Sequence, residues 1–209
     1  MAKAIFFDMD ATTIGQETIN ELAASYKKSS EVKKITELAM QGKLDFEDAL
    51  RKRVKVLENA PVSIINLTQP RLIIEPDLID FVQYCKDRGI PCFLISGGFV
   101  ELAEEIARKA GMADFHANQL QVKNERLTGE LLGEIVDAEA KAIWMQKKCK
   151  DLNLSLKEVV AVGDGANDIP MMLKAGLSVG YKPKEILYNK VNAINLSGSH
   201  RFLKDFLFA

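Results

Sequence analysis

Three short, nearly unbroken apolar runs stand out along the chain, each closed by a polar residue. Ala4-Ile5-Phe6-Phe7 ends at Asp8, Pro91-Cys92-Phe93-Leu94-Ile95 at Ser96, and Val159-Val160-Ala161-Val162-Gly163 at Asp164. A run that is apolar at every position predicts a strand covered on both faces, as in a parallel sheet, because a strand with one wet face would alternate. Between the runs the apolar spacing becomes helical. Pro76 suits the first turn of a helix through Leu78, Phe81, Val82 and Cys85, with Gly89 past its end. Phe99 to Ala110 repeats the pattern and stops at Gly111, Glu139 to Asp151 carries Trp144, and Pro170 to Ala175 stops at Gly176. Gln119–Val122 and Leu127–Leu132, separated by a Lys123-Asn124-Glu125 turn, predict a small β-hairpin.

Residues 14–70 hold no run of this kind. Their pattern predicts helices over 17–28, over 31–41 ending at Gly42, and over 46–58, the last capped by Asp45 and followed by Pro61. The expected fold class is therefore α/β, a Rossmann-like parallel-sheet core with a helical insert after the first strand. The core would comprise residues 1–13 and 71–209, and the helical cap residues 14–70. Ligands of such sheets bind outside the carboxyl ends of the strands, which places the cap as a lid over that edge.

The 209 residues and 23.2 kDa allow one substantial core plus a small module, and 47% hydrophobic residues without biased tracts exclude disorder. Lys+Arg number 28 against Asp+Glu 29, a net charge of -1 that gives no basic excess for nucleic acid or a membrane surface. Cys85, Cys92 and Cys149 are odd in number and show no C-x-x-C spacing. The N-terminus reaches Asp8 too soon for a secretory h-region, and no apolar run approaches a membrane span. The expectation is a reduced, cytoplasmic protein, monomeric or homodimeric. His116 and His200 stand alone and read as structural or surface residues, and Trp144 as a packing residue.

Polar residues gather at the three strand ends. Asp8-Met9-Asp10-Ala11-Thr12 offers two carboxylates to one ligand; Gly163-Asp164-Gly165-Ala166-Asn167-Asp168 adds two more and a carboxamide. Oxygen ligands of this kind suit Mg²⁺, which keeps several waters and takes few protein carboxylates. Ser96-Gly97-Gly98, opening the helix near Phe99, lets the backbone approach an anion. A nucleophile, a second carboxyl group, a metal site and phosphate donors together form a specific conjunction.

With these motifs the chain resembles the haloacid dehalogenase-like superfamily and, within it, the phosphoserine phosphatases. Asp8 and Asp10 match the first motif, Ser96 the second, Lys141 the third, and Asp164 with Asp168 the fourth. The insert is similar over 17–23 and 35–46. The resemblance implies phosphomonoester hydrolysis, a reaction needing rate enhancements up to about 10²¹, with covalent, metal and electrostatic contributions acting together. It implies Asp8 as nucleophile forming an aspartyl-phosphate, Asp10 as acid and base, and Mg²⁺ on Asp8, Asp164 and the Asp10 carbonyl.

The same resemblance implies that Ser96, the Gly97 N–H, Thr12 and Lys141 hold phosphate oxygens, with Asn167 and Asp168 in support. It also implies Glu17 for a substrate ammonium, Arg53 for a carboxylate, and Met40 and Phe46 as apolar cover. The partner would be a small phosphorylated amino acid. Phosphothreonine, another small phosphomonoester, or phosphotransfer to another acceptor are the alternatives, and a phospho-accepting signalling module is a further one. Ala11 and Thr13 depart from the family pattern, which has Ser or Gly and an aliphatic residue there.

Overall fold

A computed structural model describes residues 2–207. Seven strands form one sheet: β1 (Ala4–Phe7), β2 (Cys92–Phe99), β3 (Asp114–Lys123), β4 (Arg126–Leu132), β5 (Val159–Gly163), β6 (Leu177–Tyr181) and β7 (Ala193–Asn195). Their order is β4-β3-β2-β1-β5-β6-β7, parallel throughout except for the antiparallel β3–β4 hairpin. Eight α-helices accompany them among the described residues. The insert carries α1 (Thr18–Ser25), α2 (Ser29–Met40), α3 (Phe46–Lys55) and α4 (Ile64–Thr68); the remainder are α5 (Leu78–Lys86), α6 (Val100–Ala110), α7 (Ala138–Asp151) and α8 (Ile169–Lys174).

The unbroken apolar runs have the predicted cause. On central β1, Ile5 and Phe7 enter one core while Ala4 and Phe6 enter the other. Val160 and Val162 of β5 divide from Val159 and Ala161 in the same way. Alternation is present, but both faces are dry, so it leaves no polar trace in the sequence. The larger core continues into the insert through Leu22, Val32, Leu50, Val54 and Leu57, so α1–α3 share apolar packing with the sheet. Trp144 packs against Phe6, Phe93 and His116, and His200 is buried against Phe7 and Tyr181.

Several elements differ from the sequence expectation. The Ser96-Gly97-Gly98 segment does not open a helix: β2 stays extended through Phe99, and α6 begins at Val100. The helix expected from Pro76 starts at Leu78, because Asp77 is left-handed at φ 58. Strand β3 begins five residues before the hairpin, at Asp114, where it pairs in parallel with β2. Strands β6 and β7 were not expected; Ser178 and Gly180 interrupt the first, and the second has three residues.

The two connections to the insert run side by side. The Gly15 N–H donates to the Ile73 carbonyl at 3.3 Å and the Glu75 N–H to the Thr13 carbonyl at 2.9 Å. The far end of the insert is tied to the hairpin by Asn59 N–H to Leu127 O, Leu127 N–H to Ala60 O and Val62 N–H to Glu125 O, each 2.9 Å.

Candidate active site

Three strand ends meet under the insert around a cavity of about 490 Å³. Asp8, Asp10, Ser96, Gly97, Asp164 and Asn167 line it from the sheet, and Glu17, Met40, Phe46 and Arg53 line it from the insert. The parallel register brings the β1, β2 and β5 ends level, so residues remote in sequence converge. Thr12, Lys141 and Asp168 do not line the cavity. All three are fully buried, and the Thr12 hydroxyl has no hydrogen-bond partner among the described residues.

Lys141 stands in the first turn of α7, a helix whose start is fixed by the Asp137 carboxylate accepting the Ala140 N–H at 2.8 Å. Its ammonium donates to the Asp8 carboxylate and, at 2.8 Å, to Asp168 Oδ1. Burial alone would lower its pKa, but Asp168 and Asp8 outweigh burial and raise it. Asp168 Oδ2 accepts the N–H groups of Asp164 at 3.1 Å and Gly165 at 3.2 Å. Asp168 thus spends both oxygens on protein donors and joins Lys141 to the turn after β5.

Carboxylate oxygens of Asp8, Asp164 and Asp168 lie within 4.8 Å of one another. Burial, with the Asp168 and Asp164 charges beside it, pushes Asp8 well above the usual carboxylate range despite Lys141. Burial raises Asp164 as well, opposed by Lys184. Crowded, dry negative charge with hard oxygen donors fits a metal ion. Since Asp168 is fully engaged, Asp8 and Asp164 are the side chains left to hold one.

Asp10 sits differently. Its Oδ2 accepts the Thr18 N–H at 3.0 Å and the Thr18 hydroxyl at 2.9 Å, whereas its Oδ1 is buried without a partner among the described residues. Burial and then the Glu17 charge push Asp10 up to about 7, against the hydrogen bonds from Thr18. The two carboxyl groups, two residues apart, thus have different partners, Lys141 for Asp8 and Thr18 for Asp10.

Arg53 projects from α3, is half-buried, and donates from Nε to the Ala49 carbonyl at 3.1 Å. Burial lowers its pKa; the nearby Glu17 and Asp10 charges raise it. The Phe46 ring covers Gly97, its Cζ 3.3 Å from where a Cβ on that glycine would stand. Met40 lines the cavity while remaining 84% exposed.

The two departures in the first motif have local consequences. Ala11 is left-handed at φ 56, the conformation that favours glycine. Thr13 is buried, and its hydroxyl donates to the Asp8 carbonyl at 2.6 Å, a bond no aliphatic residue makes.

Three contributors were missed from the sequence. Thr18 orients Asp10. Asn118 donates to the Gly97 carbonyl and accepts the Val136 N–H, each at 2.8 Å, bracing the glycine segment. Lys184 pairs with Asp164 at 2.8 Å. None had a legible signal; Lys184 stands three residues beyond β6, a strand whose apolar run is broken by Ser178 and Gly180.

The sequence pattern of haloacid dehalogenase-like hydrolases matches residues 5–173. A phosphoserine phosphatase from Methanocaldococcus jannaschii is 40% identical over 190 residues, covering 91% of this chain and 90% of that protein. One from a Polaromonas species is 38% identical over 209 residues, covering 97% and 89%. A solved structure described as a phospho-aspartyl intermediate analogue of phosphoserine phosphatase superposes with a TM-score of 0.91 at 37% identity, covering 99% of each chain. A substrate-bound phosphoserine phosphatase complex superposes at 0.92, also with 37% identity and 99% coverage of each chain. By sequence pattern, relatives and fold alike, the chain belongs to the haloacid dehalogenase-like hydrolases.

Proposed function

We propose that this protein is a Mg²⁺-dependent phosphoserine phosphatase, releasing serine and inorganic phosphate through an aspartyl-phosphate on Asp8. One observation carries the reading: the Asp8–Asp10 pair shares its cavity with Glu17 and Arg53 of the insert. A phosphate-directed site alone would suit any phosphomonoester, whereas an added carboxylate and guanidinium suit the ammonium and carboxylate of an amino acid. The similarity to phosphoserine phosphatases along nearly the whole chain supports the same substrate. Residues 14–70 act as the cap, with 1–13 and 71–209 as the core. The three free, buried thiols suit a reducing compartment such as the cytoplasm.

Asp8 and Asp164, with the Asp10 carbonyl, would hold Mg²⁺. When bound, the ion neutralises the repulsion between the Asp8 carboxylate and the phosphate. Ser96 and the Gly97 N–H orient phosphate oxygens, and Asn167 supports them from the β5 side. Lys141 fixes Asp8, and Asp168 fixes Lys141. Thr12 takes no part in this scheme, because its hydroxyl is shut away from the cavity.

An Asp8 oxygen attacks phosphorus as the bond from phosphorus to the seryl oxygen breaks, and Asp10 gives its proton to that oxygen. A water then attacks the phosphoryl group. Asp10 takes the proton from it, and the bond between Asp8 and phosphorus breaks, freeing phosphate. A pKa of about 7 lets Asp10 serve in both directions near neutral pH.

Phosphate release from both phosphoserine enantiomers, phosphothreonine and p-nitrophenyl phosphate, with and without Mg²⁺, tests the proposal. Phosphoserine should be preferred, and activity should vanish on chelation and return with Mg²⁺. Arg53→Ala and Glu17→Ala should each raise KM for phosphoserine roughly 10-fold or more, the worth of a charge-assisted hydrogen bond, and leave p-nitrophenyl phosphate little changed. Equal KM increases on both substrates would sink the amino-acid assignment.

A further inference from the structure

Two lysines serve the carboxylate cluster, and they are held very differently. Lys141 is fully buried and bonded to two carboxylates. Lys184 reaches the cluster from the loop after β6, and its Nζ lies 2.8 Å from Asp164 Oδ2. Its side chain is 62% exposed while that of Asp164 is 7% exposed, and it lines the cavity that Lys141 does not. The Lys184 backbone is fixed independently, its N–H donating to the Asp164 carbonyl at 2.8 Å. The stem is therefore anchored beside Asp164 and the ammonium is free to leave.

We infer that Lys184 is a displaceable counter-charge on Asp164, competing with the divalent cation for that carboxylate and so setting the affinity of the metal site. The inference rests on the reading above, in which Asp164 holds the cation. Three carboxylates against Lys141 and Lys184 leave one net negative charge among these groups. A dication on Asp164 cancels the charge that holds Lys184 there, so the attraction between them is weakened. Lys141 cannot yield, because its withdrawal would leave Asp8 and Asp168 buried without a counter-charge. An ion pair whose lysine is largely exposed on a flexible stem is weak and readily broken. Lys184 is thus the member of the cluster that gives way.

The test is calorimetric titration of Mg²⁺ into the chelator-treated full chain, for the wild type, Lys184→Met, Lys184→Arg and Lys182→Met. Lys182 pairs with Glu75 instead of the cluster and controls for disturbance of the loop. Lys184→Met should bind Mg²⁺ about five-fold more tightly, the upper value of an exposed ion pair converted to a ratio of dissociation constants. Lys184→Arg and Lys182→Met should both stay close to wild type in Mg²⁺ affinity. Unchanged affinity in Lys184→Met would overturn the inference, and weaker binding would show that Lys184 orients Asp164 for the cation. If no variant binds Mg²⁺, the metal reading itself falls and takes the inference with it.

Discussion

Thr18 shows how a single side chain can divide the labour of a carboxyl group. Both of its donors fall on Asp10 Oδ2, which keeps that oxygen an acceptor and leaves the unpartnered Oδ1 to carry a proton. Thr18 is also the first residue of α1, so Asp10 is oriented by the insert that covers the site. Thr18→Val keeps the shape and the N–H but loses the hydroxyl. Loss of one charge-assisted hydrogen bond should lower kcat roughly 10-fold with KM little changed, and Thr18→Ser should recover most of it. A change in KM alone would assign Thr18 to holding the insert instead of positioning the acid. No motif announces this residue, because a threonine at a helix start is ordinary in any sequence.

Among elements, the coupling of α3 to the β3–β4 hairpin matters most for the site. Arg53 lies on α3, and Gly129 of β4 packs under the same helix. Gly129 is left-handed at φ 78, and a Cβ there would stand 3.0 Å from Glu58 Cβ and 3.2 Å from Lys55 Cα. Gly129→Ala should therefore cost about 2 kcal/mol in chemical denaturation, combining the left-handed penalty with a backbone contact that cannot yield cheaply. The KM for phosphoserine should rise in parallel, since Lys55 is two residues from Arg53. A loss below about 0.5 kcal/mol, the range of a neutral surface change, would show that hairpin and α3 move apart freely. The hairpin itself was legible from its turn and flanking apolar positions. Its attachment to 59–62 was not, because backbone hydrogen bonds between distant segments leave no residue signature.

At the level of the whole molecule, the C-terminal segment closes the core by placing His200 between β1 and β6. Its ring lies 5.9 Å from that of Phe7 and 4.3 Å from that of Tyr181, and neither ring nitrogen has a hydrogen-bond partner among the described residues. Burial holds its pKa down to about 4, although Asp77 and Glu75 pull it up, with Lys182 adding a small downward push. An unfolded histidine takes its proton near pH 6.5, so between that pH and about 4 the unfolded chain binds more protons than the native one. Stability from this group is fully present above pH 6.5 and is lost as pH falls toward 4, by about 3 kcal/mol in all. Denaturation midpoints measured across this window should fall steeply for the wild type and more shallowly for His200→Phe. Parallel slopes would exclude His200 as the source.

What the sequence determined by itself was local: which runs are strands, where they end, and which chemical groups stand at those ends. An interior strand of a parallel sheet must be apolar on both faces, so β1, β2 and β5 declare themselves, and their first polar residues mark the site. Strand β6 is interior as well, between β5 and β7, but Ser178 and Gly180 break its apolar run, and the edge strand β7 has only three residues. Ser178 is accommodated in β6 only because Asn192, beyond the strand, accepts both its N–H and its hydroxyl. Tertiary structure alone decided which charges share one cavity. Lys141 meets Asp8 across 133 residues, and Lys184 meets Asp164 through a loop whose strand is hidden. Such pairings depend on strand order and register, and the energy of a buried charge depends on every group around it, so neither is encoded in any one segment of the chain.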